Sequence, residues 1–215
     1  MTDLSHRAIC DVAVKWLKRP HSQKGHGCQF AAAEPQTGLS GEIPDAFGFR
    51  CSEYWGGSVV VEVKVSRSDF LADKGKPHRN TGGMGDWRYY MAPEGLIAPS
   101  DLPDGWGLVI VNPRGHLKVL AGAAMGLSGR YDSMQDELAR WRQPANHDKE
   151  RALLGKMLSR VSDPEQVNRW LRESASERAR LGKEVERLRE ELRSSRLRAL
   201  TDNSDRAKPR VVSHG

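Results

Sequence analysis

The strongest pattern in the chain is an alternation. Between Ser58 and Ser66 the odd positions Val59, Val61, Val63 and Val65 are all valine. Period-two spacing of β-branched residues predicts a strand with one wholly buried face. From Leu4 to Leu17 the period is different: Ile9, Val12, Ala13, Trp16 and Leu17 recur at helical spacing, and Pro20 with Gly25 and Gly27 stops the pattern. Two shorter strand candidates follow, 28–33 and 42–50. The second is joined to the valine strand through Tyr54-Trp55-Gly56-Gly57, residues suited to a hairpin connection.

A short helical stretch is predicted over 68–74, then a glycine-rich basic loop over 75–86. Strands are predicted over 87–91, 106–111 and 116–121. From Tyr131 the period is helical, over 131–142, 148–161 and about 164–200, the last with Pro164 in its first turn. In that last helix Leu181, Val185, Leu188 and Leu192 have heptad-like spacing, with Ser174, Arg178 and Ser195 interrupting it on either side. Residues 201–215 are expected to be disordered. The pattern therefore divides the chain into a core over 1–125, a helical extension over 126–200 and a tail.

Composition agrees with that division. An apolar fraction of 38% with 29% charged residues suits a modest globular part carrying a polar extension. The net charge is +6, and it is uneven: residues 1–125 hold 14 Lys/Arg against 13 Asp/Glu, residues 126–215 hold 20 against 15. Basic excess favours polyanionic partners but specifies no chemistry. No apolar run reaches the roughly 18 residues of a membrane span, and the N-terminus has no signal-peptide core, so a cytoplasmic protein is expected. Cys10, Cys28 and Cys51 are too few and too scattered for a disulfide framework. His26 and Cys28, with His21 nearby, lack the second pair a zinc site would need.

Two segments carry chemistry: Glu42-Ile-Pro-Asp45 and Glu62-Val63-Lys64. Residues two apart on a strand share a face, which puts Glu62, Lys64 and Ser66 together. A hairpin brings Asp45 beside them. Two carboxylates converging with a lysine suit metal-assisted phosphodiester cleavage. Asp45 and Glu62, with the Val63 carbonyl, would supply the oxygen ligands that Mg²⁺ prefers. Lys64 would orient the attacking water or stabilise charge on the phosphate. Plainer readings exist for each part: an exposed cross-strand ion pair for Glu62 and Lys64, and a turn residue for Asp45. Asp69 and Asp73 are expected as surface partners around a short helix. Trp87, Tyr89 and Tyr90 fit core packing better than base stacking.

The segment IPDAFGFR, followed by VVVEVKVSRSDF, resembles the PD-(D/E)XK nuclease superfamily. More narrowly, EVKVSRSDFLADK, WRYYMAPEGLI and GWGLVIVN are similar to its MmcB-like branch of phage and bacterial proteins, over roughly residues 6–121. The resemblance implies an α/β, restriction-endonuclease-like αβββαβ core, a mixed sheet flanked by helices, to which the C-terminal helices are an addition. It makes Asp45 and Glu62 metal ligands and Lys64 the catalytic lysine. Ser66 takes a position near the phosphate. A further acidic ligand is expected from Glu34, with Asp11 and Glu42 behind it. Ser66, Arg67, Lys76, His78 and Arg79 are the expected nucleic-acid contacts. The implied activity is Mg²⁺-dependent DNA hydrolysis in repair, recombination or replication, with Mn²⁺ able to substitute. The alternative is a catalytically inactive nucleic-acid-binding or phage/replication interaction protein of the same fold, and the C-terminal helix is expected to serve a homodimer or a protein partner.

Overall fold

The computed structural model describes residues 4–35, 43–76, 82–160 and 163–206. Helix α1 (His6–Lys18) begins where Ser5 caps it, its Oγ accepting the Ala8 N–H at 3.4 Å. Lys15 and Lys18 fall in its last turn, where positive charge suits the helix dipole. After it come β1 (Phe30–Ala33), β2 (Ala46–Arg50), β3 (Gly57–Val63), α2 (Arg67–Lys74), β4 (Trp87–Pro93), β5 (Trp106–Val111) and β6 (Leu117–Ala121). Three helices follow, α3 (Tyr131–Trp141), α4 (His147–Leu158) and α5 (Pro164–Arg206).

The six strands form one sheet in chain order. β1, β2 and β3 pair antiparallel, β3 to β4 and β4 to β5 pair parallel, and β6 returns antiparallel to β5. Parallel neighbours need a crossover, and α2 lies in the first of the two. The protein is therefore α/β with a mixed sheet flanked by helices, in the αβββαβ order α1-β1-β2-β3-α2-β4.

Both faces of β3 are sealed, and all seven of its residues are buried. Val59, Val61 and Val63 pack with Ile9, Cys10, Ala13, Trp16 and Leu17 of α1. On the other face Val60 packs with Phe47, Met84 and Leu153, while Phe70 of α2 packs with Tyr90, Trp106 and Leu108. Sealing a large apolar side chain in this way contributes on the order of 1.5–3 kcal/mol. The alternation in the sequence suggested one buried face ending at Val65. The strand instead ends at Val63, and Val65 is 40% exposed, because the chain turns there to enter α2. Trp87, Tyr89 and Tyr90 are buried core residues.

The chain divides into two compact units, residues 1–160 and 161–215. The first takes in α3 and α4 as well as the sheet, so it extends past the boundary expected near residue 125. Leu138 joins the α1 cluster, Leu153 joins the opposite one, and Glu150 accepts a 2.6 Å bond from Ser58 Oγ. The second unit is described through α5, which continues over 201–206, where disorder was expected. Among the described residues no helix is long and apolar enough to cross a membrane.

Candidate active site

The site lies where β1 and β3 end and β2 begins. Ala33 pairs with Ala46 across β1 and β2, and one step further the Glu34 N–H donates to the Asp45 carbonyl at 2.9 Å. Ala46 pairs with Val61 across β2 and β3, so Asp45 falls beside Glu62. Here β2 has not yet begun, and the aspartate side chain takes the place of backbone pairing: Asp45 Oδ2 accepts the Val63 N–H at 2.7 Å. Asp45 is thus fixed to the middle residue of Glu62-Val63-Lys64. In an extended strand a residue's N–H and C=O point to the same side, so the Val63 carbonyl is directed toward the Asp45 side as well.

Helix α1 adds two residues. His6 Nε2 lies 3.2 Å from Asp45 Oδ1, and His6 Nδ1 lies 3.9 Å from Glu34 Oε1 and 3.6 Å from Cys10 Sγ. Ligand atoms of His6, Cys10, Glu34 and Asp45 all fall within 4.8 Å of one another. Glu34 reaches this position with a left-handed backbone, φ 40°, which is unfavourable for a residue other than glycine and is the kind of strain found at functional sites. Burial, followed by the negative charges of Asp45, Glu34, Asp11 and Glu62, pushes the Cys10 thiol up to about 12. The thiol therefore keeps its proton, and several carboxylates act on one point.

Lys64 follows the strand, its N–H donating to the Met91 carbonyl at 3.0 Å. Its side chain is only 6% exposed and lies 3.9 Å from Glu62, 3.7 Å from Asp69 and 3.5 Å from Asp73. Asp73 was expected at the surface. It is instead buried, accepting from Tyr90 Oη at 3.1 Å and pairing with Lys76 at 2.8 Å. Tyr90 and Lys64 draw it inward toward the sheet, and Lys76, three residues along, pairs with it as well.

The expected nucleic-acid contacts have protein partners of their own. Ser66 caps α2, its Oγ accepting the Asp69 N–H at 3.2 Å. Arg67 grips Asp101 through two bonds of 2.5 and 2.7 Å, which holds the Asp101 carboxyl well below the usual range. Lys76 is on Asp73. His78, Arg79 and Glu42 lie outside the described residues. Asp11 is exposed, and its charge is felt by Cys10.

The donor set tests whether a divalent cation fits. Within the group that could share one ion, Asp45 and Glu34 offer carboxylate oxygens and His6 an imidazole nitrogen. Glu62, an expected ligand, is not in that group and lies 3.9 Å from Lys64. Oxygen donors suit Mg²⁺, and an added imidazole suits Mn²⁺ better. The protonated Cys10 is a poor ligand. His6 and Cys10 were missed in the sequence because α1 shows there only as an amphipathic helix. Nothing in its spacing marks which of its polar residues reaches the sheet end.

No protein-family model matches this chain, and no curated protein matches it. A solved structure that it resembles is the SPO1766 protein of unknown function from Silicibacter pomeroyi, with 20% sequence identity, covering 63% of this chain and 80% of that chain at a TM-score of 0.31. A likeness of that strength carries no argument about function.

Proposed function

We propose that this protein is a metal-dependent nuclease of the PD-(D/E)XK type that hydrolyses DNA phosphodiester bonds, serving DNA repair, recombination or replication. The observation that carries the reading is the 2.7 Å bond from the Val63 N–H to Asp45 Oδ2. It holds an aspartate against a strand end whose Glu62 and Lys64 are both almost fully buried. Burying an acid and an ammonium there is costly unless the arrangement is used.

Asp45 is the principal cation ligand in this reading, with Glu34 and His6 grouped around it, and Glu62 and the Val63 carbonyl join from the adjoining end of β3. A bound divalent cation supplies Lewis acidity toward the phosphate and a water of lowered pKa. Lys64 positions the attacking water or donates to a phosphate oxygen as charge builds on it. Its three ion pairs are long, 3.5 to 3.9 Å, so turning toward substrate breaks no short hydrogen bond among them. The imidazole in the donor set favours Mn²⁺ over Mg²⁺ as the better activator.

The test is incubation of the purified chain with linear, nicked and single-stranded DNA in Mg²⁺ or Mn²⁺. Cleavage is expected with either metal, and Lys64→Ala or Asp45→Ala should lower its rate by about 10²–10³-fold. Cutting that survives both substitutions rejects the assignment. One observation favours a second reading, a nucleic-acid-binding protein without catalysis: Lys64 already faces three carboxylates. DNA binding in EDTA with no cutting in either metal would select it.

A further inference from the structure

The 43-residue helix α5 leaves an apolar stripe in water. Val167, Leu171, Leu181, Val185, Leu188 and Leu192 are each between 42% and 60% exposed. Counted through the polar interruptions Ser174 and Arg178, their positions keep a 4-3 alternation, 167-171-174-178-181-185-188-192, across nearly four heptads. At 1.5 Å per residue this seam is about 38 Å long. In heptad terms Leu171, Arg178, Val185 and Leu192 take position a, while Val167, Ser174, Leu181 and Leu188 take position d.

From this seam we infer that α5 forms a parallel, two-stranded coiled coil with a second copy of this chain. Three features on the helix choose that occupant. Leucines at two successive d positions, with valine between them at a, favour two strands. Arg178 at a has a long stem that can carry its charge out of a two-stranded seam, where a larger bundle would enclose it. The charges beside the seam then set the direction. Position g is glutamate in three successive heptads, Glu177, Glu184 and Glu191, and Arg189 occupies an e position.

A parallel pair sets g against e of the partner's next heptad, which brings Glu184 to Arg189 of the partner subunit on both sides of the seam. An antiparallel pair sets g against g and aligns two rows of glutamates, which repel. Within one helix Glu184 and Glu191 both pair with Arg187 at 2.6 Å. Those pairs are exposed, worth little, and free to re-form across a seam. The proposal is independent of the nuclease reading and gives the assembly two copies of the candidate active site.

The test is sedimentation velocity of the full chain from about 1 to about 200 µM, a range that brackets micromolar self-association. A dimer is expected, and Leu188→Glu should weaken it at least about 100-fold, as expected for a charge in the seam. Glu184→Arg alone should weaken it about 10-fold, and adding Arg189→Glu should restore it, which a merely misfolded helix would not do. Direction is read in a Cys51→Ser background, since Cys51 is the exposed thiol. There Val185→Cys and Leu171→Cys, made separately, should each form an interchain disulfide on oxidation. A monomer at every concentration overturns the proposal. So does a dimer indifferent to Leu188→Glu, a failed charge-swap rescue, or cross-linking at one of the two cysteine positions without the other.

Discussion

Strand β3 has buried acids at both ends, and the two ends are built on opposite principles. At its start, Ser58 sits in a closed hydrogen-bond net. Asp86 Oδ2 accepts from the Ser58 N–H at 2.9 Å, Ser58 Oγ accepts the Asp86 N–H at 3.0 Å, and Arg142 Nε donates to Asp86 Oδ1 at 3.0 Å. Glu150 accepts from Ser58 Oγ at 2.6 Å and from the Gly85 N–H at 2.8 Å, with His147 on its other oxygen at 3.1 Å. Two carboxylates are matched there by donors at bonding distance. At the far end His6 lies between Glu34 and Asp45, Lys64 faces Glu62, Asp69 and Asp73 through long pairs, and Lys76 pairs with Asp73. The first arrangement fastens α4 to the sheet. The second holds an excess of negative charge, which is what a cation site requires.

The largest expected difference between the two ends is in activity. Lys64→Ala should lower metal-dependent cleavage by about 10²–10³-fold, whereas Ser58→Ala should leave the rate per folded molecule within about twofold, since it touches no reacting group. Rates normalised to folded protein check this. Equal losses from both substitutions would erase the contrast.

Stability should move in opposite directions. Ser58→Ala removes the hydroxyl that donates to Glu150 and accepts the buried Asp86 N–H, and should cost about 1–3 kcal/mol. Asp45→Asn keeps an acceptor for the Val63 N–H while removing one of the crowded charges. In EDTA it should stabilise the fold by about 0.5–2 kcal/mol, a gain in stability bought at the expense of function. Urea denaturation of both variants, side by side, reads the two signs.

A smaller effect concerns a third buried polar group. His26 is fully enclosed beside Tyr89, with its Nε2 2.8 Å from Tyr89 Oη. Burial, with the charges of His21 and Arg50, holds its imidazole down to about 3. The folded state thus favours neutral His26, while the unfolded chain takes up a proton near pH 6.5. Its contribution is complete above that pH and is lost as pH falls toward 3, by about 1.4 kcal/mol per pH unit. Denaturation between pH 4 and 7 should show this slope, and His26→Gln should flatten it.

The contrast also explains what the sequence made legible. Strand β5 falls where the pattern put it, over 106–111, and α1, α3 and α4 fall within a few residues of their predicted limits. Strong periodicity marks such elements. The pairing of Asp45 with the Glu62-Val63-Lys64 strand end was also legible, because the hairpin fixes its register. Asp73, His6 and the Ser58–Glu150 net were not. Each depends on contacts between residues far apart in the chain, 92 positions in the case of Ser58 and Glu150. Periodicity reports which face of an element is buried, and it cannot say that a serine and a glutamate so distant will meet. For the same reason α3 and α4 read as an extension when they belong to the unit that holds the sheet.

Binding of Mn²⁺ to the chain, followed by electron paramagnetic resonance without any nucleic acid, tests the central claim most directly. The charge excess at the end of β3 should bind Mn²⁺ in the wild type and in Ser58→Ala alike, with at least a tenfold loss of affinity in Asp45→Asn. If the wild type takes up no Mn²⁺, or if Asp45→Asn binds it as well as the wild type does, the carboxylates at that end do not form a cation site.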